Sequence, residues 1–361
     1  MLLGFRRPIT SGKVHLVLRN ASTLPQFPPL STVISIVLGL PLALWTYKCT
    51  IMVLFQRRII YMGYVPLGAR NQHLGDLPPS AFHSIQCREV SLQGSIASRL
   101  SGILVYRDDV AEEDIQVLLL YFQGTFALVN FWNAGNPIHR IPIFQHLCKS
   151  TPPQQHPRIG VLAVAPRSYW KSTPRRPTQS GIIQDYITTL RYALQEFPAA
   201  QIVVYGHSLG GAAAICTLAE LQQTQARRPY IPGLDRIRGL VLENPFASIP
   251  SMVRALYPQK WLPYRYLAPL AFDKWDALTA LQSHIGQNTT LGRVSRDMLV
   301  LLSEHDEIVP QEMGAELFRL ATEGQSHSKS TMVWVHSALH ENAWTKKTWI
   351  DELRKYLTRL T

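Results

Sequence analysis

A chain of 361 residues, 46% hydrophobic and 9% aromatic, is long and apolar enough to bury a large core, which excludes a disordered or fibrous protein. The formal net charge is +12, but eight basic side chains (Arg6, Arg7, Lys13, Arg19, Lys48, Arg57, Arg58 and Arg70) fall in the first 70 residues, and no acid precedes Asp76. The rest carries 28 basic against 24 acidic residues, so the basicity marks a targeting or membrane-proximal segment and no nucleic-acid partner is expected.

The chain opens with a basic tail over residues 1–30. No charge occurs between Ala21 and Tyr47, and the stretch from Val33 to Phe55 is apolar apart from Pro41 and Lys48. At 1.5 Å per residue, a helix of this length covers a hydrocarbon core of about 30 Å. A single transmembrane anchor is therefore expected over residues 31–55, with Lys48 near one end where its stem can snorkel. Single-pass membrane localisation follows, with the endoplasmic reticulum or another endomembrane expected. The Asn20 and Asn288 sequons are compatible with a non-cytoplasmic catalytic domain. Cys49, Cys87, Cys148 and Cys216 lack ligand-like spacing, so neither a metal site nor a disulfide framework is expected.

Beyond the anchor, a domain over residues 65–361 alternates apolar β-rich runs with helical stretches. Strands are predicted over 87–92, 100–106, 116–122, 159–165, 201–205, 238–243, 298–303 and 331–336. The first two read as an antiparallel hairpin, and the later ones are continuously apolar, as strands buried on both faces must be. The predicted fold class is α/β, an eight-stranded, mostly parallel sheet with helices on both faces. Ile183, Ile187, Leu190, Leu194 and Phe197, and again Trp349, Leu353, Tyr356 and Leu360, recur at helical spacing and mark core faces.

One segment carries chemistry. Ile202-Val203-Val204-Tyr205-Gly206-His207-Ser208-Leu209-Gly210-Gly211-Ala212 reads as strand, tight turn and small-residue helix start, a G-x-S-x-G nucleophile elbow in its required context. A serine hydroxyl attacks a carbonyl only if an imidazole takes its proton, and the imidazole needs a carboxylate to fix its tautomer. Downstream, the loop after the 298–303 strand offers Asp306, with Glu304 and Glu307 as rivals. The loop after the last strand offers His340, preferred over His336 at the strand end. Ser208, Asp306 and His340 are the expected catalytic residues.

On these residues the chain resembles the α/β-hydrolase superfamily, and more narrowly its membrane-anchored ABHD-type and fungal BEM-type serine hydrolases. The resemblance runs from about Phe55 to the C-terminus. It rests on Phe55-Gln56-Arg57-Arg58, Gly206 to Gly211, Leu242-Glu243-Asn244-Pro245-Phe246, Asp306 to Pro310 and His340-Glu341-Asn342. It implies an α/β-hydrolase fold that cleaves an acyl ester or thioester of lipid or palmitoyl-protein type through an acyl-enzyme, without cofactor. Such enzymes follow the third strand with a short His-Gly-Asn-Ala-Gly-Asn loop that helps bind the oxyanion. Here Tyr121-Phe122-Gln123-Gly124 ends the strand and Asn133-Ala134-Gly135-Asn136 comes eight residues late, after an insert from Thr125 to Trp132. The expected oxyanion donors are the N–H of Leu209 and that of Thr125 or Asn133; losing one such donor costs about 10² to 10³ in rate. A cap is expected over about 247–294, with Trp261, Tyr264 and Phe272 lining a substrate pocket. Two rivals stay open: a catalytically impaired hydrolase fold acting as a membrane scaffold, for which the displaced loop speaks, and a serine peptidase.

Overall fold

The computed structural model describes residues 27–94, 98–124, 136–149, 157–227, 231–325 and 328–361. The chain divides into two compact units, Met1–Tyr47 and Lys48–Thr361. Helix α1 (Leu30–Leu54) begins in the first and ends in the second, continues through Pro41 and buries no residue. It is long and apolar enough to cross a membrane.

The second unit is built on one sheet of eight strands: β1 (Ile85–Gln93), β2 (Arg99–Arg107), β3 (Val117–Phe122), β4 (Ile159–Ala165), β5 (Gln201–His207), β6 (Ile237–Glu243), β7 (Met298–Ser303) and β8 (Thr331–Val335). Their order is β1-β2-β4-β3-β5-β6-β7-β8. β2 runs antiparallel to both β1 and β4, and every other pairing is parallel. The register puts Leu119 of central β3 between Val161 of β4 and Val203 of β5, all buried. Such runs have apolar side chains at both parities because both faces of the sheet are covered.

The helices are α2 (Gln56–Ile60), α3 (Ile141–Cys148), α4 (Gln179–Glu196), α5 (Leu209–Arg227), α6 (Ile249–Leu256), α7 (Ala277–Gln282), α8 (Thr290–Val294), α9 (Gln311–Thr322) and α10 (Lys347–Leu360). Neighbouring residues of β3 show the two layers. Tyr121 meets Phe144 of α3 edge to face at 5.1 Å, while Phe122 stacks on Tyr186 of α4 at 3.8 Å. Successive side chains of a strand point to opposite faces, so α3 and α4 lie on opposite sides of the sheet. Helix α10 joins α3, His146 stacking on Trp349; α5 joins α4.

Of the segment expected as a cap, only part leaves the helix layers. Helix α6 packs on a 3-10 segment, Pro263–Leu270, whereas α7 contacts α5 and α9, and α8 contacts α5 and β6. Residues 270–275 are tied to α2 and the turn after it. Arg57 Nε donates to Asp273 Oδ2 at 2.8 Å, Gln56 bonds Leu270 O and Phe272 N at 3.1 and 2.7 Å, and Trp275 Nε1 donates to Tyr61 Oη at 2.9 Å.

Candidate active site

All parallel strands point their C-terminal ends to one edge, where the loops after β5, β6, β7 and β8 meet. Strand β5 ends at His207, and Ser208 follows with φ 55°, a left-handed conformation unfavourable for a residue with a side chain. The turn is tight enough to require both flanking glycines. A Cβ on Gly206 would lie 2.4 Å from the carbonyl oxygen of Gly210, and one on Gly210 would lie 1.9 Å from that of Phe122. Ser208 N donates to Glu243 O at 2.9 Å, which ties the elbow to the end of β6.

The Ser208 side chain is buried, and its Oγ has no hydrogen-bond partner among the described residues. Leu209 opens α5, where the first N–H groups of a helix have no intrahelical acceptor. Gly124 lies hard against the elbow, since a Cβ there would come within 2.9 Å of Ser208 Cβ. The other expected oxyanion donors, Thr125 and Asn133, and the insert between them lie outside the described residues.

Asp306 and His340 are brought together as expected. Nδ1 of His340 lies 2.9 and 2.8 Å from the two Asp306 carboxylate oxygens. Oδ1 also accepts from Ile308 N at 2.9 Å and Val309 N at 2.8 Å, which fixes the carboxylate. The rivals have other uses: Glu307 accepts from His340 N at 3.0 Å, and Glu304 from Ser337 N at 2.8 Å. His336 is exposed at the end of β8. Burial pulls the His340 imidazole down, but the hydrogen bond and charge of Asp306, with Glu341 and Glu243 beyond, raise it above its ordinary 6.5. Ser208 makes no hydrogen bond to His340, although the ring of its neighbour His207 lies 4.8 Å from the His340 ring, centroid to centroid.

Three supporting groups were not anticipated from the sequence. His207 Nε2 faces the carbonyl oxygen of His340 at 3.1 Å, a contact only an N–H can make, so the ring holds its proton there. Burial lowers this imidazole to about 4 despite the opposing field of Glu341, so it is neutral. Asn244 Nδ2 donates to the same carbonyl at 3.1 Å and to Ser303 Oγ at 2.9 Å, while its Oδ1 accepts from Ser303 N at 2.7 Å. Arg140 Nη1 donates to Glu341 Oε2 at 2.7 Å. Burial opposes the Glu341 charge, but the Arg140 guanidinium outweighs it and holds the carboxyl well below the usual range. On the same face of the sheet, Glu243 accepts from Tyr205, and burial pushes its carboxyl up to about 7.

His207, His340 and Glu341 bring ligand-type atoms within 4.8 Å of one another. The Glu341 carboxylate is already paired with the Arg140 guanidinium, whose charge would repel a cation, and His340 Nδ1 is held by Asp306.

Two of the three expected substrate aromatics meet cations. Tyr264 is buried against Tyr257, with Lys48 Nζ 4.3 Å above its ring; Phe272 meets Arg57 at 5.7 Å; Trp261 is exposed. Tyr264 and Phe272 thus meet Lys48 within the last turns of the apolar helix and Arg57 just beyond it.

Residues 131–338 match the profile of the Alpha/beta hydrolase family. The chain belongs to that family. It is 29% identical over 269 residues to protein bem46 of Schizosaccharomyces pombe, covering 74% of this chain and 75% of that protein. It is 25% identical over 322 residues to the Alpha/beta hydrolase domain-containing protein WAV2 of Arabidopsis thaliana, covering 85% and 90%. Lysophosphatidylserine lipase ABHD12 of Danio rerio is 26% identical over 157 residues, which is 44% of this chain and 38% of that protein. Among solved structures, an α/β hydrolase from Vibrio vulnificus superposes with a TM-score of 0.57 at 18% identity over 84% of this chain and 92% of its own. An esterase from Pyrococcus furiosus gives 0.54 at 15% over 80% and 96%. These two likenesses carry the fold alone.

Proposed function

We propose that the protein is a membrane-anchored serine hydrolase of esterase or lipase type. Ser208 Oγ attacks an acyl carbonyl, His340 Nε2 takes its proton and returns it to the leaving group, and Asp306 holds the imidazole in the tautomer whose Nε2 can accept. Water, deprotonated by the same imidazole, then cleaves the acyl-enzyme. The N–H of Leu209 is the first oxyanion donor, and the second is assigned to the segment after Gly124, which contains Thr125 and Asn133.

The observation that carries this reading is the pairing of a carboxylate with His340 Nδ1, both side chains buried, beside a strained elbow whose serine hydroxyl has no hydrogen-bond partner among the described residues. In a resting enzyme the serine to histidine contact is often long and tightens only when substrate is bound. The lysophosphatidylserine lipase among the similar proteins supports an ester of lipidic type. Thioesters, including palmitoyl-proteins, are the extension of the same acyl chemistry. Helix α1 is assigned as the single membrane anchor, in the endoplasmic reticulum or another endomembrane.

The test is hydrolysis of a panel of lysophospholipids, p-nitrophenyl esters and acyl thioesters by the full chain in neutral detergent. Turnover that disappears in Ser208→Ala and in His340→Ala, with the double change adding little, is the expected result. Turnover that survives Ser208→Ala overturns the reading.

A further inference from the structure

Two cavities adjoin the segment where α1 ends. One, of about 420 Å³, is lined by aliphatic side chains that include Val53, Ile59, Met252 and Leu267. The other, of about 720 Å³, borders the same stretch through Leu54, Phe55 and Tyr61, and it collects Arg57, Arg58, Arg70 and Arg176 with no carboxylate among the described residues of its lining.

The charge balance of the second cavity decides what it can hold. Arg57 is neutralised by Asp273, which lies behind the wall. Arg70 donates to the backbone oxygens of Trp170 and Ser172 at 3.0 and 3.3 Å, which fixes its side chain without cancelling its charge. Arg58 and Arg176 are exposed, and neither they nor Arg70 has an ion-pair partner among the described residues. Three uncompensated guanidinium groups therefore border one concave space. A guanidinium presents paired donors that match the oxygens of a phosphate, and more than one is needed to balance a phosphate monoester. The cavity is far larger than a bare phosphate, so it has room for what the phosphate is attached to.

We propose that this arginine-lined cleft binds the phosphate of an anionic phospholipid headgroup. Its place at the end of the apolar helix, beside an aliphatic cavity, favours a lipid as the source, because basic residues that follow a membrane segment meet anionic headgroups. The Ser168–Pro177 side of the cleft belongs to the loop after the C-terminal end of β4, the same sheet edge from which Ser208 projects. The binding site stands whether or not Ser208 is a nucleophile.

The experiment uses the full chain carrying Ser208→Ala in neutral detergent, so that binding is read without turnover. Dihexanoylphosphatidic acid and inorganic phosphate are titrated separately and in competition by calorimetry. Saturable binding of phosphatidic acid, weakened tenfold or more by Arg58→Ala/Arg176→Ala and unchanged by Arg319→Ala on helix α9, outside the cleft lining, is the expected result. Both arginines in the double variant are exposed, so its fold is not at risk, and an unchanged melting temperature verifies this. Arg58→Lys/Arg176→Lys, which keeps the charge but loses the forks, should fall between the parent and the alanine pair. Phosphate that competes on equal terms identifies the bare anion as ligand, and phosphate that fails to compete identifies the lipid; either supports a phosphate site. No saturable binding of either ligand, or binding that the alanine pair leaves intact, overturns the proposal.

Discussion

Replacing Asp306 by Asn isolates the part of the mechanism that geometry alone cannot supply. The carboxylate oxygens lie 2.8 and 2.9 Å from His340 Nδ1, and Oδ1 also accepts from Ile308 N and Val309 N at 2.9 and 2.8 Å. An amide of the same shape keeps Oδ1 on those two N–H groups, and its NH₂ then faces Nδ1. A donor in that place stabilises the tautomer with its proton on Nε2, which cannot accept from Ser208. The backbone is undisturbed, so the melting temperature should move little while kcat falls by about 10⁴, or about 5.5 kcal/mol of transition-state stabilisation. Initial rates on a short-chain p-nitrophenyl ester in neutral detergent read this directly. Glu307→Gln is the control, because its side chain still accepts from His340 N, and it should lose less than tenfold. A rate for Asp306→Asn within tenfold of the parent, or an equal fall in Glu307→Gln, would refute the assignment of Asp306.

In Gly210→Ala the new methyl would stand 1.9 Å from Phe122 O, a backbone atom that cannot swing away; we expect loss of activity together with a lower melting temperature, and a variant melting like the parent would contradict the tight elbow. Neutral His340 is the active base and its pKa is raised above 6.5, so kcat/KM should climb with pH to a half-point above that value; a half-point below it would count against the Asp306 pairing. Glu243 is raised from 4.5 to about 7, so the folded protein retains a proton that the unfolded chain sheds, and this contribution is complete below pH 4.5 and lost as pH rises through 7. The loss amounts to about 3 kcal/mol, and melting curves of Glu243→Gln should show a flatter fall between pH 4.5 and 7 than the parent.

Much of this architecture is legible in the chain because burial on both faces forces uninterrupted apolar runs. Each of the eight predicted strands is found within a few residues of its expected bounds. The elbow was visible for a related reason: steric exclusion leaves only glycine at 206 and 210. Asp306 and His340 could be chosen because each follows a strand whose end is marked by a change from apolar to polar residues.

What escaped reading was set by tertiary proximity. Arg140 and Glu341 are 201 positions apart, and the donors on the His340 carbonyl come from the ends of β5 and from the turn after β6. No periodicity announces a buried polar network of that kind. Trp261, Tyr264 and Phe272 were expected at the substrate because aromatics in a long insertion suggest a pocket. Lys48 lies over the Tyr264 ring and Arg57 over that of Phe272, contacts between residues far apart in the chain that no local pattern announces.

The central claim is that Ser208 is the nucleophile, and covalent labelling tests it most directly. The full chain in neutral detergent is treated with a fluorophosphonate, digested and mapped by mass spectrometry. A phosphonyl adduct on the peptide containing Ser208, absent from Ser208→Ala and strongly slowed in His340→Ala, is the predicted result. Folded protein that takes up no label, or that carries it on another residue, contradicts the account.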